Sequence, residues 1–114
     1  MIPAKEIRLS ERAGKLLDRL EKSSLPELRA VARRVHALKP VLLADCLHGE
    51  VVRKSAIPAL LRREYGLENL YVEDLPSFWR LLYTVVRIEG ERILVVLEIV
   101  DHRAYSRWFP GRRK

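Results

Sequence analysis

Residues 70–101 read LYVEDLPSFWRLLYTVVRIEGERILVVLEIVD, and their periodicity decides the fold class. Leu82, Thr84 and Val86 alternate with Leu81, Tyr83 and Val85, the period of two that marks a strand. Glu89-Gly90-Glu91 is a tight hairpin signal, because glycine accepts the left-handed backbone such turns need. After it, Ile93 to Leu97 are apolar without alternation, so this strand should be central and covered on both faces. A shorter strand over 70–75 ends at Pro76-Ser77. The sequence therefore predicts three antiparallel strands near 70–75, 79–88 and 92–101.

Upstream the period lengthens to that of helices. Ala13, Leu16, Leu17 and Leu20 share one face, and Ser10 can cap a helix over 11–22. Ser24-Leu25-Pro26-Glu27 reads as a capping box opening a second helix over 25–46, with Leu28, Val31, Val35 and Leu38 as its apolar stripe. Pro40 is expected to break or kink it. Ser55 is read as the cap of a third helix over 56–65, closed by Gly66. Lys5 to Leu9 alternates and can form a short edge strand. The expectation is one α+β domain over 1–114: an N-terminal helical hairpin packed on a C-terminal antiparallel sheet of three to four strands, with an extra helical segment around 48–68. Leu16, Leu20, Val31, Val35, Leu82, Val95 and Leu97 are its expected common core.

The 114 residues are 48% hydrophobic, enough for a core and too much for a disordered chain. No apolar run approaches the roughly 20 residues of a membrane span, and the N-terminus lacks the apolar stretch of a secretory signal. Cys46 is the only cysteine, which excludes an internal disulfide and makes the cytoplasm the natural compartment. It is read as a small buried hydrophobe. His36 and His48 have no evident third partner, so no metal and no cofactor is expected.

Charge is the strongest compositional signal. Lys and Arg number 22 against 15 acids, a net charge of +7. Such a basic domain meets polyanions. The chain has no Gln, one Asn and one Thr, which together with many charges is a thermophile composition. Surface ion pairing accounts for balanced charges but not for the excess of seven.

Two strings carry a resemblance. Arg80-Leu81-Leu82-Tyr83 lies on a strand behind a Leu-Pro turn, and Asp101-His102-Arg103-Ala104-Tyr105 follows the central apolar strand. In this order, after a helical hairpin, they resemble the RelE/ParE superfamily of type II toxins. The resemblance covers residues 70–109 and reaches 11–47 by topology alone; the segment 48–68 departs from the compact family plan. It implies a toxin that cleaves mRNA, at the ribosome, by attack of a ribose 2′-OH on the adjacent phosphate, silenced by an acidic antitoxin. It also implies an alternative, a non-catalytic nucleic-acid- or protein-binding member such as a ParE-like topoisomerase inhibitor.

By that likeness Arg80 contacts the phosphate, Arg103 adds charge, and His102 or Tyr105 moves the protons. Lys54, Arg62, Arg63, Arg107 and Trp108 are candidates for RNA contact. Structural readings stand beside these. Arg80 can pair with Asp74 or Glu98, His102 can bond Asp101, and Trp79, Trp108 and Phe109 can be core residues or base-stacking platforms. Residues 103–114 read as a tail, and Arg112, Arg113 and Lys114 make its end basic. The two functions separate on one geometric question: whether Arg80, His102, Arg103 and Tyr105 converge on an open surface.

Overall fold

A computed structural model describes residues 1–111; the basic tail at 112–114 lies outside the described residues. The chain is α+β, and its sheet is larger than expected. The strands are β1 (Glu6–Leu9), β2 (Glu50–Val51), β3 (Tyr71–Asp74), β4 (Arg80–Ile88) and β5 (Glu91–Val100), and the helices are α1 (Glu11–Glu21), α2 (Pro26–Ala44), α3 (Ala59–Tyr65) and α4 (His102–Trp108). They form one five-stranded sheet in the order β1-β5-β4-β3-β2. The expected arrangement of helices followed by an antiparallel sheet is corrected in two respects. The first strand precedes the helices, and it pairs parallel to β5, with Ile7 opposite Leu94 and Leu9 opposite Val96. That register places Ile7 and Leu9 against the core cluster under α1 and α2. No described helix is long and apolar enough to cross a membrane.

The sheet divides two cores. On one face Ala13, Leu17 and Leu20 of α1 and Val31, Val35, Leu38 and Leu42 of α2 pack on Leu81, Tyr83, Leu94, Val96 and Ile99, together with buried Cys46. On the other, Leu61 of α3 and Tyr105 of α4, with Phe109 just after it, pack on Val72, Leu82, Leu97 and Val100. The expected common core is thus split: Leu20, Val31 and Val35 lie on the first face, Leu82 and Leu97 on the second, while Leu16 and Val95 are partly buried. The unbroken apolar run of β5 exists because both of its faces are covered.

A bulge breaks the alternation. Leu82 pairs with Glu98 but Tyr83 with Val96, so Leu97 has no partner in the register. Past this extra residue the parity of β5 shifts, and Glu98 turns to the Tyr65 hydroxyl at the end of α3. Ser10 steadies the same place. Its hydroxyl accepts from the Ala13 N–H to cap α1 and donates to the Leu97 carbonyl at 2.7 Å.

Several boundaries differ for local reasons. Helix α2 runs unbroken through Pro40. His36 and Pro40 are both exposed, so the carbonyl that loses its partner faces water. The cap of α2 is Leu25 and not Ser24; Ser23 accepts the Leu25 N–H, and Pro26 at the first position has no N–H to satisfy. Ser55 sits in a 3-10 turn, Lys54–Ala56, and α3 starts only after Pro58, which holds Ile57 extended. Gly66 closes α3 in the left-handed region as expected (φ 64°, ψ 41°). The only Asn completes the sheet edge. The Asn69 side chain accepts from the Val85 N–H and donates to the Val85 carbonyl, each at 2.9 Å, as a neighbouring strand would.

Candidate nucleic-acid interface

The site begins with strand register. Antiparallel pairing of β3 and β4 sets Asp74 opposite Arg80, and the Arg80 Nε–Asp74 Oδ1 distance is 3.0 Å. The Arg80 Nη1 donates to the Trp79 carbonyl at 3.1 Å. From above comes α4, where the sequence predicts only a tail. Asp101 caps it by accepting the Ala104 N–H at 3.0 Å. Ala104, Tyr105, Trp108 and Phe109 recur at helical spacing and pack on the sheet. Tyr105 thereby comes under the Arg80 guanidinium, 4.9 Å from ring centre to Cζ, and beside Phe109 at 4.9 Å.

The opposite side of α4 is polar. His102, Arg103, Ser106 and Arg107 are exposed, with Arg103 and Arg107 one turn apart. The His102 Nε2 lies 3.5 Å from the Ser106 hydroxyl, and its ring meets Phe78 at 5.8 Å, tilted by 59°. Asp101 is occupied with the cap rather than with His102.

The four residues expected to converge therefore separate. Arg80 and Tyr105 touch each other, but each is only 3% exposed. His102 and Arg103 lie outside them on α4. The four form a buried pair and an exposed pair, and of the two carboxylates weighed for Arg80 it is Asp74 that it meets. Lys54 and the α3 residues Arg62 and Arg63 are exposed on elements that cover the same sheet face as α4. Trp108 is half-buried against the core of that face and Trp79 against the other, so neither is an open platform. A groove of about 680 Å³ elsewhere, between Leu67, Asn69, Val86 and Arg92, is lined by none of the nine candidate residues.

No protein-family model matches this chain. No curated protein and no solved structure matches it either.

Two groupings escaped the sequence reading. Arg12 Nη1 donates to the buried Glu98 at 2.7 Å and Nη2 to Glu64 at 2.9 Å, while the Tyr65 hydroxyl donates to Glu98 at 3.1 Å. Burial holds the Glu98 carboxyl above the usual glutamate range, against the pull of Arg12 and Tyr65. The Tyr65 phenol is pushed up to about 12 by burial and by the carboxylate it serves. The sequence marks Glu98 only as a possible partner for Arg80. The second grouping is Phe78 with His102; the Pro76-Ser77 turn was legible, but not that Phe78 would stand outside it. Of the other histidines, His36 contacts Glu21, and His48 Nδ1 lies 2.5 Å from Glu73, so both are tied to a single carboxylate.

Proposed function

We propose that this domain is a non-catalytic binding module for single-stranded RNA. The observation that carries the reading is the commitment of Arg80. In-line attack by a 2′-OH needs a cation at the phosphate and proton carriers beside it. Here the matching Arg is inside the fold, held by Asp74 and lying on Tyr105. The candidate cations in contact with solvent lie on one side of the sheet: Arg103 and Arg107 on α4, Arg62 and Arg63 on α3, and Lys54 before it. Cations spread over several short elements suit a flexible polyanion, and the net charge of +7 supplies its attraction. The likeness of residues 70–109 to RelE/ParE toxins supports the same partner class and extends it to an acidic protein that covers this surface.

Fluorescence anisotropy with a labelled single-stranded RNA of a dozen nucleotides tests the proposal. About four phosphate contacts give a log–log salt slope of roughly −3. The RNA should remain intact, with no 2′,3′-cyclic phosphate ends after prolonged incubation. Binding that ignores salt, or no binding, refutes the polyanion reading. Cleavage that a folded Arg80→Ala variant loses refutes the non-catalytic one and restores the nuclease.

A further inference from the structure

Two hairpin turns in this sheet enter the left-handed region of the backbone with different residues. Each has two central residues at positive φ, the backbone that matches strand twist but suits glycine and asparagine. Between β4 and β5 they are Glu89 (φ 52°) and Gly90 (φ 83°), and the glycine relieves the second position. Between β3 and β4 they are Ser77 (φ 60°) and Phe78 (φ 64°), closed by the Trp79 N–H on the Pro76 carbonyl. A bulky L-residue is strained there. Folding gains little in return, because Phe78 is 67% exposed and belongs to neither core. Its ring contact is His102 on α4. Such strain at an exposed side chain points to a use outside the fold.

The neighbours define that use. A recess of about 390 Å³ lies beside the ring, lined by Asp74, Leu75, Ser77, Phe78 and Arg80. Two acids are near. Asp74 is bound to Arg80, and Asp101 caps α4. His102, Arg103 and Arg107 are exposed on α4, the helix whose first residue meets the ring. An open aromatic face beside a helix that carries exposed cations suits an unstacked base and its phosphates. We propose that Phe78, backed by His102, is a stacking step for one base of single-stranded RNA, with Arg103 and Arg107 on the flanking phosphates. The inference rests on the RNA-binding reading above and adds to it the point at which a base is held. Stacking is indifferent to base identity, so the step grips a strand without selecting its sequence.

The test uses the whole chain and a single-stranded RNA carrying one 2-aminopurine. Phe78→Gly should weaken binding by at least about tenfold, the loss expected for one stacked base. It should leave the salt slope unchanged, because the phosphate contacts stay. Its Tm should equal or exceed that of the wild type, since glycine relaxes the turn. Phe78→Trp should bind like the wild type, with its new indole emission quenched by RNA and 2-aminopurine quenched in turn. Leu60→Ala, at another exposed apolar position, on α3, should bind normally. Wild-type RNA affinity in Phe78→Gly, or no quenching in Phe78→Trp, overturns the step, leaves the RNA-binding reading intact and assigns the exposed ring to a protein partner. No RNA binding by the wild type overturns both.

Discussion

Replacing Arg12 by methionine should destabilise the domain by an amount that depends on pH. Glu98 is 3% exposed and accepts from Arg12 and Tyr65. Without Arg12 the carboxylate keeps the phenol but loses the cation facing it. Breaking a buried ion pair from one side costs about 3–5 kcal/mol. The Arg12 side chain is 57% exposed, and solvent screening there brings the expected cost to about 2–3 kcal/mol near neutral pH. The sign with pH follows from Glu98. Its folded-state pKa is raised above the unfolded value, so the folded chain holds this proton more tightly. Stability from this group therefore grows as pH falls through the raised value and is lost as pH climbs back through it. Arg12→Met raises it further, so its penalty should shrink between pH 8 and pH 5. Urea unfolding followed by circular dichroism at several pH values measures this. Glu98→Gln should stay within about 1 kcal/mol of wild type at pH 7, because the amide oxygen still accepts and no charge is buried. In the Glu98→Gln background, Arg12→Met should cost about 1 kcal/mol or less. An Arg12→Met penalty equal at both pH extremes, or undiminished in that background, refutes the reasoning.

Gly49→Ala should lower stability by about 1–3 kcal/mol, because a Cβ there would stand 2.9 Å from both the Tyr83 hydroxyl and the Val72 carbonyl. Tyr83→Phe should not rescue it, since the Val72 contact is backbone and the Gly49 N–H loses its 2.9 Å acceptor; thermal melts of the two single variants and the double variant decide this. Arg80→Ala should cost about 3 kcal/mol in urea unfolding, because Arg80 is a packed part of the fold; a fully stable variant would show that its burial contributes nothing. Leu94→Ala should cost about 2–5 kcal/mol, whereas Val51→Ala, on an exposed edge, should change stability by no more than about 0.5 kcal/mol.

What could be read in advance was local. Ser10 as a cap, Gly66 as a stop, the Glu89-Gly90 hairpin, the burial of Cys46 and the extent of β4 and β5 all rest on neighbouring residues. What escaped depends on residues far apart. Ile7 and Leu9 alternate, but nothing within residues 5–9 says that their partner is β5 or that the pairing is parallel. Strand β2 has two residues, too few for any period. Helix α4 did carry signals, Asp101 as cap and apolar residues at helical spacing, but its seven residues are rich in charge and read as tail. At the site, the weighing of Arg80 against Asp74 was possible because both flank one turn. The separation of Arg80 and Tyr105 from His102 and Arg103 was not, because it depends on how α4 is rotated on the sheet.

The pairing of β1 with β5 has a consequence for the order in which the molecule can assemble. Residues 6–9 meet residues 93–96, and the Ser10 hydroxyl waits for the Leu97 carbonyl. A ribosome emitting the chain from its N-terminus releases α1 and α2 long before the strand that α1 packs on. Until β5 emerges, the apolar faces of both helices and of β1 have no sheet to cover. Contacts of such sequence separation slow folding and lengthen the time that sticky surfaces stay open. The hairpin of α1 and α2 therefore waits uncovered until β5 has been made.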